Sequence, residues 1–199
     1  MEDFVHLHVH TYYSLLDGQA SIERLVDKAV ADGMRGMAVT DHGNMFGIKA
    51  LYDYCGKVNK KLKAAGKDPF KPILGCEVYV AARNKEDKDK AMGDDRRYHL
   101  ILLAKNQTGY KNLIKIVSRA WTDGFYSKPR TDHADLQRYH EGLIVCSACL
   151  AGEVPRAILR GDIAAARSVV EWYKNLFGED YYLELQRHEV TDPNIIANR

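Results

Sequence analysis

The feature that most constrains the fold of this chain is the alternation of two hydrophobic patterns. Short runs that are apolar throughout, or apolar at every second residue, are typical of strands, and most precede a longer segment with the three-to-four-residue repeat of an amphipathic helix. The runs with strand character cover residues 3–10, 37–40, 72–80, 98–104, 142–149 and 181–186. Strands joined by helices favour parallel pairing, which predicts an α/β fold, either a barrel or an open doubly wound sheet.

A barrel is the favoured of these two architectures. No glycine-rich fingerprint of the GxGxxG or GKS/T kind follows any predicted strand, which argues against an open sheet that binds a nucleotide. Parallel barrels usually need about 250 residues, whereas this chain has 199. We therefore expect a (β/α) barrel that is truncated before its last strands.

Composition and charge limit the classes of function. Lysine and arginine number 29 against 27 acidic residues, a net charge of +2, so any nucleic-acid role must rest on a site rather than on bulk charge. The most charged stretch, residues 83–97, is most simply a solvated loop. No long apolar window or signal peptide is evident, so we expect a cytoplasmic protein with no membrane contact. In a reducing compartment the cysteines should be core residues or ligands: Cys55, Cys76, Cys146 and Cys149.

Side chains that bind metals cluster around the ends of the predicted strands. His8 and His10 close the first strand on one face, because side chains alternate along a strand, and Asp41 and His42 follow the second. The other candidates are Asp17, Glu77, His99, Cys149 and His188. Because parallel barrels carry their chemistry at the carboxyl ends of strands, we expect one shared pocket. His99 is the exception, since it lies early in its strand and should therefore be at the opposite end.

These ligand types indicate the chemistry. Imidazole, thiolate and carboxylate suit zinc, manganese or iron, and a thiolate argues against a site for magnesium alone. The set is too large for one ion, so we expect two or three ions about 3.5–4 Å apart, bridged by a carboxylate such as Glu77. Ions so arranged activate a water and hold a phosphate, which predicts a phosphoesterase with Asp41, His42 and Glu77 as its catalytic residues.

Each candidate also has a purely structural interpretation. Glu77 could be the buried partner of a cation, and Asp41 could cap a helix. Cys146 and Cys149 form a CxxC pair, but on a strand they face opposite sides, so Cys146 should be an apolar core residue. Three histidines receive only a structural or surface role: His6, His133 and His140.

The motifs of this chain, taken together, resemble a known family. In order they are HLHVHTYYSLLDG, AVTDHGNMFG, KPILGCEVYVAA, YHLILLAKNQTGYKNL, GFYSKPR, EGLIVCSACLAGEVP and YYLELQRH. From Phe4 to about His188 they resemble the N-terminal PHP (polymerase and histidinol phosphatase) domain of bacterial DNA polymerase III alpha subunits. The His-x-His and Thr-Asp-His pieces are shared by PHP phosphoesterases, whereas TGYKNLIK, GFYSKPR and SACLAGE resemble the polymerase branch.

The resemblance implies an architecture and a ligand set. The fold would be a distorted (β/α)7 TIM-like barrel, one PHP domain over residues 1–199 that is incomplete at its C-terminal end and lacks the polymerase body. It would hold two to three Zn²⁺, Mn²⁺ or Fe ions through His8, His10, Asp17, His42, Glu77, His99 and Cys149. Asp41 and His188 match motif positions of the family, and His188 is counted among the metal ligands. The family adds an Asp-x-His pair on a later strand, which this sequence lacks, so the site would be incomplete.

The resemblance leaves three functions open. The domain would be a metal-dependent 3′ to 5′ exonuclease acting on a DNA 3′ end, a scaffold that stabilises the polymerase and docks a proofreading exonuclease subunit, or a free-standing phosphatase of the histidinol-phosphate type. Retention of the ligands favours the first, and the polymerase-branch motifs argue against the third. In the first two cases the chain belongs to a DNA-directed DNA polymerase, with DNA and the remaining polymerase domains as partners in DNA replication.

Overall fold

Helices and strands alternate along the chain, which confirms the α/β class. The computed structural model describes residues 4–186. The helices are α1 (Ile22–Ala31), α2 (Ile48–Ala64), α3 (Gln107–Thr122), α4 (His133–Arg138), α5 (Glu153–Leu159) and α6 (Ile163–Phe177). The strands are β1 (Gly36–Val39), β2 (Lys71–Ala81), β3 (Arg97–Ala104), β4 (Arg130–Thr131), β5 (Leu143–Cys146) and β6 (Tyr181–Tyr182). None of the helices in this range is long and apolar enough to cross a lipid bilayer.

The chain packs as two compact units, and β2 runs from one into the other. Residues up to Glu77 form the first unit and residues from Val78 onward form the second. In the first unit β1 and β2 pair in parallel, and α1 packs against α2. Ser21 caps α1 by accepting the Arg24 N–H at 3.3 Å, as a serine at that position predicts.

Residues 4–10 lie beside β1 without forming a regular strand. The N–H of Ala38 donates to the carbonyl of His6 at 2.8 Å, and that of Thr40 donates to Val9 at 2.9 Å. The N–H of Val9, however, donates to the Thr40 hydroxyl at 2.9 Å, so a side chain replaces a backbone acceptor of the ladder. The prediction of a regular strand over residues 3–10 is therefore wrong over the part that the structure describes, although the segment still brings His8 and His10 to the carboxyl end of β1.

The second unit departs from the predicted parallel arrangement. β3 pairs antiparallel with β5, with Ile101 opposite Cys146, whereas β5 and β6 are parallel and the end of β2 is parallel to β4. The prediction that the strands are parallel throughout is thus wrong for the β3–β5 pair. Its consequence is that the amino end of β3 lies at the same edge as the carboxyl end of β5.

Several element bounds also differ from the sequence prediction. The predicted strand over residues 142–149 is shorter in the structure, where β5 ends at Cys146, so Cys149 lies in the turn beyond it. β6 covers Tyr181–Tyr182 alone, and the sequence did not predict β4 or α4. Two residues of strand and six of helix are too short to show a hydrophobic period.

Arg130 anchors the charged segment between β2 and β3. Its side chain is fully buried, and its guanidinium donates only to carbonyl oxygens among the contacts in the described residues. These acceptors are Gly124 at 3.1 Å, Asp94 at 2.6 Å, Lys85 at 2.6 Å and Asp87 at 2.9 Å. One side chain thus holds three positions of the 83–97 segment in place.

The same segment buries two of its own charges. Lys85 is 5% exposed, with its Nζ 3.2 Å from Asp135 and 3.5 Å from Asp132. Asp94 is 1% exposed and accepts from Arg83 Nε at 2.7 Å and Nη2 at 2.8 Å. The interpretation of residues 83–97 as a solvated loop is wrong at these two positions, because each buried charge has a charged partner.

Replacing Arg130 by lysine should destabilise the second unit. One ammonium group cannot reach the four carbonyl oxygens that the guanidinium satisfies, and buried acceptors left without a donor are costly. We expect Arg130→Lys to lower the free energy of unfolding by about 2–4 kcal/mol in urea titration. The exposed Arg167→Lys should stay within about 0.5 kcal/mol of the parent. Equal effects in the two variants would show that the carbonyl contacts of Arg130 contribute nothing.

Asp94 should make stability depend on pH in the acid range. The Arg83 guanidinium, which donates to both oxygens, lowers the pKa of Asp94 from 3.8 to about 2. A lowered carboxyl pKa gives stability that is present above the unfolded-state pKa and lost as pH falls through the folded-state value. The difference in unfolding free energy between the parent and Asp94→Asn should therefore shrink as pH falls from about 4 to about 2. In an Arg83→Met background, most of that pH dependence should vanish.

Candidate metal centre

A buried carboxylate lies at the centre of the candidate site. Glu77 is 1% exposed, and its Oε1 lies 3.1 Å from the Nε2 of His8. Its Oε2 lies 3.7 Å from the Nε2 of His10 and also contacts the Nδ1 of His42. All four residues belong to the first unit, so this unit by itself gathers three imidazoles around one carboxylate.

The pairing of β1 with β2 brings His42 opposite Glu77. The Glu77 N–H donates to the carbonyl of Asp41 at 3.1 Å, and the Gly43 N–H donates to the carbonyl of Glu77 at 2.8 Å. These bonds continue the parallel ladder past the last residue of β1, with His42 and Glu77 as bridge partners. Residues after one strand and within the next therefore meet because the register of the two strands requires it.

His10 contacts both other histidines of the cluster. Its Nε2 lies 3.2 Å from the Nε2 of His8, and its ring stacks on that of His42 with centroids 4.1 Å apart. Burial lowers the pKa of His10 to about 4, although the charge of Glu77 opposes part of this shift. The ring is therefore neutral near pH 7, which is the form that binds a metal.

Asp17 lies at the outer edge of the cluster. Its Oδ2 is 2.8 Å from the Nε2 of His42, and its side chain is 67% exposed. The loop between His10 and α1 thus delivers a carboxylate to the Nε2 edge of the His42 ring, whereas Glu77 contacts its Nδ1. Asp17 therefore lies within contact distance of a histidine of the cluster.

Asp41 contacts hydroxyl groups, which sequence reasoning missed. Its Oδ1 accepts from the Thr11 N–H and the Ser14 hydroxyl, both at 2.7 Å, and its Oδ2 accepts from the Thr11 hydroxyl at 2.8 Å. Ser14 also lies 2.9 Å from the Nδ1 of His10 and accepts the His42 N–H at 3.1 Å. The sequence feature that could have indicated these contacts is the pair of hydroxyl residues, Thr11 and Ser14, directly after His10.

The second unit brings His99 and Cys149 together. The Sγ of Cys149 lies 3.5 Å from the Nδ1 of His99, and the His99 N–H donates to the carbonyl of Ala151 at 3.0 Å. Because β3 is antiparallel to β5, a residue early in β3 lies beside the turn that follows β5, which accounts for the position of His99. Cys146 is 6% exposed, and burial raises its pKa to about 12, as expected of a core residue.

Each unit contains part of the predicted set of site residues. The first unit holds His8, His10, Asp17, His42 and Glu77 in one cluster with Asp41 behind it, and the second holds His99 beside Cys149. His188 lies outside the described residues.

Comparison with known proteins identifies similar chains. A model of the PHP domain matches residues 6–188. The chain is 47% identical over 196 residues to the DNA polymerase III subunit alpha of Borreliella burgdorferi, and 43% identical over 195 residues to that of Treponema pallidum. Each alignment covers 98% of this chain and 16% of the relative, so the chain spans about a sixth of the length of these proteins. An amidohydrolase structure from Chromobacterium violaceum aligns over 59% of this chain and 36% of its own at 20% identity, with a TM-score of 0.36, too low to establish a common fold.

Asp41→Asn should loosen the loop that follows His10. The Asp41 carboxylate presents two acceptor oxygens to three donors, whereas an amide has one acceptor oxygen. Hydrogen bonds to a charged group are also stronger than those between neutral groups. We expect a loss of about 2–4 kcal/mol in unfolding free energy by urea titration. Thr11→Val, which removes one hydroxyl donor and keeps the backbone one, should cost about 1 kcal/mol. A smaller loss in Asp41→Asn than in Thr11→Val would contradict this role of Asp41.

Proposed function

Since this chain belongs to the PHP domain family, we propose that it is the metal-binding N-terminal domain of a DNA polymerase III alpha subunit. Identities of 47% and 43% with two such subunits, over nearly the whole chain, support the proposal. In it, the chain acts in the cytoplasm as part of a DNA-directed DNA polymerase during DNA replication. Nucleotide addition belongs to the remaining polymerase domains, which are its partners together with DNA and a proofreading exonuclease subunit.

The separations between donor atoms in the first unit carry the metal-binding part of the proposal. Two atoms that bind one tetrahedral zinc at about 2.0–2.1 Å lie roughly 3.4 Å from each other. The Nε2 atoms of His8 and His10 are 3.2 Å apart, and the Nε2 of His8 is 3.1 Å from Glu77 Oε1. The donor set of imidazoles and a buried carboxylate fits Zn²⁺, Mn²⁺ or Fe.

The full ligand set extends this cluster. It comprises His8, His10, Asp17, His42, Glu77, His99, Cys149 and His188, for two to three ions. The distorted (β/α)7 barrel belongs to the same proposal, and its support is the family membership together with the parallel β1–β2 pair.

The proposed reaction is hydrolysis of a phosphodiester at a DNA 3′ end. Divalent ions at this site would lower the pKa of a bound water and neutralise charge on the phosphate oxygens. His42, in contact with Asp17 at Nε2 and Glu77 at Nδ1, can hold a proton at either nitrogen. Glu77 orients His8 and His10 from the buried side of the cluster. Asp41, which we predict to be required for catalysis, acts on His10 and His42 through Ser14 and is in that sense a positioning residue.

Metal content and exonuclease activity test this function together. The full chain, purified and dialysed against Mn²⁺ or Zn²⁺, should retain at least one ion per molecule by elemental analysis. His10→Ala should weaken metal binding by at least about tenfold and abolish Mn²⁺-stimulated release of 3′ nucleotides in the complete polymerase subunit. His140→Ala, which removes an exposed imidazole, is the matched control and should retain both properties.

Two results would change the conclusion. A parent chain that retains no zinc, manganese or iron would favour the scaffold function, in which the domain stabilises the polymerase and docks the proofreading subunit. Release of 3′ nucleotides at the parental rate by His10→Ala would assign that activity to another site. Efficient hydrolysis of histidinol phosphate by the parent, with no action on DNA, would favour the free-standing phosphatase.

A further inference from the structure

A cleft lined by arginine side chains lies within the second unit. Its volume is about 670 Å³, and it is formed by the start of β3, by α5 and by residues next to them. Four arginines line it: Arg96, Arg97, Arg156 and Arg160. Asp95 lines it as well, so the lining carries a strong excess of positive charge although the whole chain is nearly neutral.

The four guanidinium groups retain donors for a ligand. Arg96 donates from Nε to the carbonyl of Gly93 at 3.3 Å, and Arg97 donates from Nη1 to the carbonyl of Asp95 at 3.1 Å. Within residues 4–186 neither these two nor Arg156 and Arg160 form a salt bridge with a carboxylate. Each guanidinium has five N–H donors in a planar arrangement that matches phosphate. Most of these N–H groups make no hydrogen bond to the described residues and can bind a ligand.

The rest of the lining suits a nucleotide chain better than a free anion. The aromatic residue Tyr98 and the apolar residue Leu159 also line the cleft. Sites for single-stranded nucleic acid combine a positively charged groove with aromatic side chains on which bases stack. The volume lies within the usual range of about 300–1,000 Å³ for ligand sites, which suits a short length of one strand rather than a duplex.

We propose that this cleft binds the phosphodiester backbone of single-stranded DNA. His99 also lines the cleft, and Cys149 lies 3.5 Å from it, so a strand in the cleft runs beside this pair. The choice of DNA as the ligand rests on the proposed function. The positive charge and the size of the cleft are observed independently of that function. The arginines hold successive phosphates, and the strand beyond them extends past His99.

Binding of a fluorescent oligothymidylate to the full chain, in the presence of a chelator, tests the cleft. The Arg156→Ala/Arg160→Ala double variant should bind at least about tenfold more weakly. The slope of log Kd against log salt should fall by about 1.4, because each lost phosphate contact of a single strand contributes about 0.7. Arg156→Lys/Arg160→Lys should retain most of the affinity and the slope. The control variant Arg167→Ala, which removes an exposed arginine of α6, should bind like the parent.

Three outcomes would overturn the proposal. The first is an alanine double variant that binds with the affinity and salt slope of the parent. The second is competition by polyglutamate that is as effective as competition by unlabelled oligothymidylate. The third is an equal effect of Arg167→Ala and of the double variant. If the alanine variant does not fold, protection of Arg156 and Arg160 against phenylglyoxal by the oligonucleotide in the parent chain decides the same point. Because the chelator removes metals, a failure of metal binding leaves these results unaffected, and metal content measured separately distinguishes the two proposals.

Discussion

The need to stabilise a buried carboxylate governs the first unit. Glu77 is almost completely removed from solvent, and an ionised carboxylate in that position is unfavourable unless polar or charged groups surround it. The imidazoles of His8, His10 and His42 meet this need from two other segments of the chain. The extended segment before β1, the residues after β1 and the middle of β2 must therefore stay together, and the same contacts assemble a set of metal ligands.

A second layer of hydrogen bonds holds these ligands in place. The Ser14 hydroxyl contacts Asp41, the ring of His10 and the backbone N–H of His42. Thr11 fixes the other oxygen of Asp41. Ligands that are oriented by partners of this kind keep their geometry without the ion, which reduces the reorganisation that binding requires. The Thr-Asp-His motif therefore combines two tasks, since its aspartate organises the loop and its histidine contacts Glu77.

The charged residues of the second unit are of two kinds: some are buried and stabilise the fold, and others line the cleft. Arg130, Lys85 and Asp94 are buried and have polar partners within the unit, so they fix the segment that leads into β3. Arg96 and Arg97, at the end of that segment, line the cleft instead. A firmly held segment can present cationic side chains in a constant arrangement, which favours recognition of a regularly spaced chain of phosphates.

The local pattern of the sequence indicated the longer helices, the side chains that share a face and the types of ligand that are available. The stripe of α6, the serine cap of α1 and the alternation that aligns His8 with His10 can all be read from neighbouring residues, because burial and backbone geometry repeat over a few positions. Tertiary structure decided how distant segments meet. The hydrophobic pattern of a strand is the same whether its neighbour is parallel or antiparallel. The antiparallel β3–β5 pair, which brings His99 to Cys149, therefore could not be predicted from the sequence. The partner of Lys85 lies 47 residues away at Asp132, and contacts at that separation depend on which backbone edges come together.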